Sequence, residues 1–164
     1  MKFTCCYTAI YSSLLFIALG LPSASAHDET HSATAASAFG QPGVAKAVKR
    51  SIDIHMTDAM RFNPASLIIK QGETLRMRIH NDGKLEHEFV LGTHEEIEEH
   101  AEMMRQMPNM IHTDASSIRV AAGKSAEIVW KFSRAGKFYY ACLIPGHREA
   151  GMQGVVTVTA PVKK

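Results

Sequence analysis

Between Ser51 and Thr159 the sequence falls into short apolar or alternating runs, each closed by a turn signal, and this pattern limits the fold more than any other feature. The runs are Ser51 to Met56, Ser66 to Lys70, Thr74 to His80, His87 to Leu91, Ser117 to Ala121, Ala126 to Phe132, Lys137 to Ala141 and Gly154 to Thr159. The breaks carry Gly72, Asn81-Asp82-Gly83, Gly92, Ala122-Gly123-Lys124 and Ala135-Gly136. Side chains alternate across a strand, so such runs bury one face each, and residues tolerant of left-handed backbone mark the reversals. Seven or eight strands at this spacing predict an all-β antiparallel sandwich. One segment differs: His94 to Met107 is rich in Glu, Met and Ala, has Ile97 as its only β-branched residue, and stops at Pro108. It is expected to be a short helix inserted between strands.

The beginning of the chain does not read as part of that fold. Lys2 precedes an apolar run from Ile10 to Leu21 that ends in Ala24-Ser25-Ala26, the pattern of a secretory signal peptide over residues 1–26. The run is shorter than the roughly 20 residues a membrane span needs, so no span is expected. Export to the periplasm follows, with the mature chain starting near His27. Residues 27–47, rich in Ala, Ser, Thr and Gly, read as a flexible arm, and residues 48–164 as one folded domain. Removing Lys2 with the leader leaves 17 Lys and Arg of the original 18, against 16 Asp and Glu. This near-balance, without a basic cluster interleaved with aromatics, gives no support to nucleic-acid binding. A monomer is expected.

Cys5 and Cys6 leave with the leader, so Cys142 is the single thiol of the mature chain. Secreted proteins normally pair their cysteines, and a leftover thiol in an oxidising compartment calls for an occupant. The stretch Tyr139-Tyr140-Ala141-Cys142-Leu143-Ile144-Pro145-Gly146-His147-Arg148-Glu149-Ala150-Gly151-Met152 supplies the context for a metal. Cys142, His147 and Met152 stand in a C-x4-H-x4-M spacing at a strand end. Soft sulfur ligands combined with imidazole select copper, and a trigonal pair of His with one Cys plus a long axial Met is the arrangement of electron-transfer copper sites. The set lacks one imidazole. His87, which opens a strand far upstream, is the natural donor, with His55 and His80 as alternatives; His80 ends a strand alternating Leu75, Met77 and Ile79 and so points to the polar face. Taken singly, a buried Cys, a strand-end Met and a lone His are ordinary core or surface residues. Their joint spacing and the unpaired thiol favour a metal.

The C-terminal stretch, together with Met60-Arg61-Phe62-Asn63-Pro64 and Ile69-Lys70-Gln71-Gly72-Glu73-Thr74, resembles cupredoxins of the plastocyanin and azurin kind, and most closely the periplasmic copper-tolerance cupredoxins of bacteria. The likeness covers about Ser51 to Thr159. It implies a Greek-key β-sandwich of seven to eight strands with one short inserted helix, and one type 1 copper ion cycling between Cu(I) and Cu(II). It further implies Cys142 as thiolate ligand, His87 and His147 as imidazole ligands and Met152 as weak axial ligand. Glu88 departs from the Asn or Asp often found after the first His, which bears on hydrogen bonding near Cys142 and on colour and potential.

Further Met and His residues lie outside this set. His100, Met103 and Met107 share one helical stripe, Met104 joins Ile97 and Ala101 on the adjacent one, and Met110 and His112 follow. Two readings stand: a Met-rich helix closing over the core, or an additional copper site in which thioethers capture Cu(I). His27 and His31 are either a solvated tail or donors for Cu(II). Two functions share the same copper ligands. One is copper tolerance and homeostasis; the alternative is electron transfer through His147 and the Leu143-Ile144-Pro145 loop, with a periplasmic redox or copper-transfer protein as partner. Multicopper enzymes need further copper centres and paired His-x-His motifs, which this chain lacks. The one enzymatic role left open is weak oxidation of Cu(I).

Overall fold

The computed structural model describes residues 37–107 and 114–162. Ten strands run β1 Gly40–Pro42, β2 Arg50–Thr57, β3 Arg61–Asn63, β4 Ser66–Lys70, β5 Thr74–Asn81, β6 His87–Gly92, β7 Ser117–Val120, β8 Ser125–Phe132, β9 Gly136–Ala141 and β10 Gln153–Thr159. One α-helix, α1 His94–Gln106, lies between β6 and β7, and a single 3-10 turn spans Ala45–Ala47. The strands form two five-stranded sheets, ordered β1-β8-β5-β2-β3 and β4-β10-β9-β6-β7. All eight runs read from the sequence appear as strands; the two additional ones, β1 and β3, are three residues long. The expectation of purely antiparallel pairing is corrected, since β2 pairs β5 and β4 pairs β10 in parallel. Chain reversal signals are local, whereas parallel neighbours are joined by crossovers between distant segments, which turn residues do not report.

The period of two sets the core. In β5, Leu75, Met77 and Ile79 are buried while Arg78 on the opposite face is exposed, and β10 repeats the pattern with Gly154, Val156 and Val158 inward. These side chains meet Trp130, Phe132, Phe138, Phe89 and Tyr140 from the facing strands. Burying each large aliphatic chain contributes about 1.5–3 kcal/mol. Tyr140 fits because residue 154 is Gly: a Cβ there would lie 2.2 Å from the Tyr140 ring.

The arm expected over residues 27–47 is corrected in its second half. Phe39 is 1% exposed and stacks on Trp130 with centroids 5.1 Å apart, and β1 pairs with β8 through Gly40↔Phe132 and Pro42↔Trp130. A strand of three residues holding Gly40 and Pro42 has no period to detect. A Cβ on Gly40 would meet Lys131 O at 2.3 Å and Trp130 Nε1 at 2.4 Å, so the small residue that weakened the sequence signal is what lets β1 approach.

Helix α1 is built as its sequence dictates. Thr93 accepts from Glu96 N at 3.1 Å while the Glu96 carboxylate accepts from Thr93 N at 2.7 Å, a reciprocal cap. Ile97, Ala101 and Met104 are buried against Val90, Ala141 and Leu143. This is one of the two stripes that the spacing distinguishes. No helix among the described residues is long and apolar enough to cross a membrane.

Sheet register brings the site together. Strands β6 and β9 are neighbours through Val90↔Ala141, and β9 and β10 through Ala141↔Gln153. The start of β6, the residue after β9 and the residue before β10 therefore meet at one end of the sandwich, and these are His87, Cys142 and Met152.

Packing of the amino-terminal segment is testable. Phe39→Ala is expected to lower the unfolding free energy by about 3–5 kcal/mol in urea titration, as for other buried Phe truncations. A detached arm would leave the midpoint unchanged.

Candidate metal centre

His87 and Cys142 are fully buried and His147 is half-buried. His87 Nδ1 lies 3.2 Å from His147 Nδ1, and His147 Nδ1 lies 3.4 Å from Cys142 Sγ. The donor atoms of all three lie within 4.8 Å of one another, forming the group of three metal-capable side chains found among the described residues. Two imidazole nitrogens and one sulfur facing one another in a dry interior suit a cation between them. Their softness fits copper in a trigonal set of two His and one Cys.

Each donor is oriented by neighbours. The other ring nitrogen of His87, Nε2, donates to Asp58 Oδ1 at 3.2 Å, which turns the Nδ1 lone pair inward. Asp58 in turn accepts from Lys84 N at 2.8 Å and Leu85 N at 3.2 Å. The Lys84 amide, helped by the Leu85 amide and His87 against the opposing effect of burial, holds its carboxyl below the usual range, so it stays ionised. Asn81, nearly fully buried, ties down the loop ahead of His87 by donating to Leu85 O and Val120 O, each at 2.8 Å. Burial, followed by the neighbouring His87, depresses the His147 pKa and keeps this imidazole neutral, as a ligand must be.

Cys142 receives the Glu88 N–H on its sulfur at 3.3 Å. Burial nevertheless pushes the thiol up to about 11, with the Glu88 and Ile144 amides pulling the other way. Without a cation it is a thiol at neutral pH; a bound metal displaces the proton and makes it a thiolate.

The loop from Cys142 to Met152 is fastened at both ends and in the middle. Cys142 N donates to Met152 O at 3.1 Å, Met152 N to His147 O at 3.1 Å and His147 N to Ile144 O at 3.0 Å. Met152 is fully buried in the same cluster as Cys142. Arg61 Nη1 donates to Ala150 O and to Met60 O, each at 2.7 Å, clamping the loop onto β3. Gly151 has φ +100°, and a Cβ there would lie 2.7 Å from that guanidinium, so glycine is required twice over. On the far side Arg148 Nη1 donates to Glu98 of α1 at 3.0 Å.

His55 and His80, the alternative donors, are not at this centre. They lie on the outer face of the first sheet, bonded to Asp82 and to Asp53 and Ser125. On α1, His100 and Met103 are partly buried and Met107 is exposed. Met110, His112, His27 and His31 lie outside the described residues. Sequence reasoning missed Asp58, Asn81, Arg61 and the Arg148–Glu98 pair. Asn81 read as a turn residue, and Arg61 sat in a recognised motif, but its partner is 89 residues away.

Burial of Cys142 has a chemical consequence. At pH 8 a thiol of pKa about 11 is about one part in a thousand thiolate, against about a quarter for an ordinary one. The metal-free folded protein is expected to react with a thiol reagent at least about a hundredfold more slowly than the urea-unfolded chain. Equal rates would show an accessible, ordinary thiol.

With the geometry in place, comparison with known proteins gives one family. The profile of copper binding proteins of the plastocyanin/azurin family matches residues 48–159. The chain is 46% identical over 153 residues to the copper-resistant cuproprotein CopI of Rubrivivax gelatinosus, covering 93% of each chain. It is 37% identical over 150 residues to the CopI of Pseudomonas aeruginosa, covering 74% of this chain and 82% of that protein. Among solved structures, auracyanin B superposes with a TM-score of 0.62 at 19% identity, over 76% of this chain and 96% of its own. Auracyanin A of Chloroflexus aurantiacus, a blue copper protein, does so with a TM-score of 0.56 at 24% identity, over 66% and 98%. The chain belongs to the plastocyanin/azurin family of copper-binding proteins.

Proposed function

We propose that this protein binds one copper ion through His87 Nδ1, His147 Nδ1 and Cys142 Sγ, with Met152 as weak axial ligand, and that it serves copper resistance in the periplasm. The observation that carries this reading is the convergence of two imidazole nitrogens and the single described thiol within 4.8 Å. Relatives named as copper-resistant cuproproteins, similar over 93% and 74% of the chain, support the role. The leader-like residues 1–26 support export, with the folded domain beginning ahead of β1.

Copper bound by such a set supplies a centre that gains or loses one electron. The protein's part is to hold the donors still and dry. Asp58 fixes the His87 ring, the Glu88 amide steadies the sulfur, and Arg61 keeps the loop that carries His147 from shifting. A site held in one geometry by hydrogen bonds suits both oxidation states with little rearrangement. His147 is the one donor with partial exposure, so an electron-transfer role would use this edge for contact with a redox partner.

Copper-loaded protein is expected to show intense thiolate-to-Cu(II) absorption in the visible. Cys142→Ala should abolish it, while Met152→Ala should retain a displaced band, because the axial ligand tunes the centre without supplying the chromophore. Wild type that binds copper without colour overturns the ligand set. Deletion of the gene should raise copper sensitivity and leave respiratory electron flow unchanged; the reverse outcome favours the electron carrier.

A further inference from the structure

The outer face of the first sheet carries a histidine pair that the copper centre does not use. His55 on β2 and His80 on β5 are partners in the parallel register, so their side chains leave the same face side by side. Their rings lie 5.0 Å apart, inclined by 23°. Each is held by a carboxylate: His55 Nδ1 to Asp82 Oδ2 at 2.7 Å, and His80 Nε2 to Asp53 Oδ1 at 2.9 Å. A carboxylate only accepts, so the nitrogen facing it carries the proton and the other nitrogen of each neutral ring keeps its lone pair. His55 thereby offers Nε2. On His80 that nitrogen is Nδ1, whose lone pair accepts from the Ser125 hydroxyl at 2.8 Å, a bond that a metal would replace.

We infer that His55 and His80 form a second, surface site for Cu(II), with Asp82 and Asp53 as the carboxylates that orient the two imidazoles. Carboxylate–histidine–metal relays of this form fix ring orientation and raise ligand basicity. Imidazole and carboxylate donors suit Cu(II), which heads the affinity order of divalent first-row metals, and the absence of sulfur from this set disfavours Cu(I). The two rings differ in freedom. His80 has partners on both nitrogens and a side chain 29% exposed, whereas His55 is 42% exposed and tied to Asp82, itself 52% exposed. His80 is therefore the fixed ligand, and His55 turns to share the metal. Arg78, which bonds Asp53 at 2.7 Å, is an opposing cation on this face, as is Arg76, paired with Glu127 at 3.0 Å. Arg78 shares Asp53 with His80, whereas Asp82 orients His55 alone. The site is separate from the Cys142 centre, so its failure leaves the proposed function standing.

The test uses the full mature chain with His27 and His31 changed to Gln, its first site filled with one Cu(II), and a second equivalent of Cu(II) added under electron paramagnetic resonance. A second signal of nitrogen- and oxygen-bound copper is expected, with the His55 and His80 ring resonances broadened in NMR spectra. His55→Gln with His80→Gln should weaken this second binding at least about tenfold, and Asp82→Asn to a lesser degree. The visible band of the first copper, unchanged in all variants, reports that they remain folded. No second binding below about 100 μM, corresponding to about 5.5 kcal/mol, overturns the inference. So does second binding that the double substitution leaves intact.

Discussion

The pairing of β9 with its neighbours β6 and β10 is the constraint on which this molecule depends. It sets His87, Cys142 and Met152 at adjacent strand ends, and the Cys142 N–H bond to Met152 O closes the loop between them. His147 is then held within that loop by its own amide to Ile144 O and by the Met152 amide to its carbonyl. A shift of one residue in either register would turn Cys142 to the other face of the sheet and dissolve the group. The aromatic core beneath, in which Tyr140 fills the space over Gly154, makes such a shift expensive.

Around this frame lies a shell of polar supports of long sequence range. Asp58 reaches His87 across the two sheets, Arg61 reaches Ala150, and Arg148 reaches Glu98 on the inserted helix. Helix α1 is thus tied to the metal loop as well as packed on β6 and β9, through Ile97, Ala101 and Met104. On its other stripe His100 and Met103 are partly buried and Met107 is exposed. Glu88 is a particular feature of this chain: its amide supports the sulfur while its side chain is buried, with Arg119 Nε 3.6 Å from its carboxylate.

Most strands and the Cys142–His147 pair were legible because their signals are local: alternation in β5 and β10, turn residues between runs, and the fixed spacing from Cys142 to His147. What escaped was non-local. Parallel pairing of β2 with β5 leaves no mark on either strand, and β1 hides behind Gly40 and Pro42. The sequence favoured His87 as the second imidazole, with His55 and His80 as alternatives; sheet topology separates them, placing the latter two together on the outer face and His87 at the start of β6. Asp58 and Arg61 look like ordinary surface charges until the partners far along the chain are known.

X-ray absorption at the copper edge of the singly loaded protein tests the centre most directly. The His87, Cys142 and His147 set requires one short copper–sulfur scatterer and two imidazole nitrogens, with that short sulfur shell lost in Cys142→Ala. A shell of nitrogen and oxygen alone in the wild type, or a short sulfur shell that survives that substitution, would refute the assignment of the copper to these three residues.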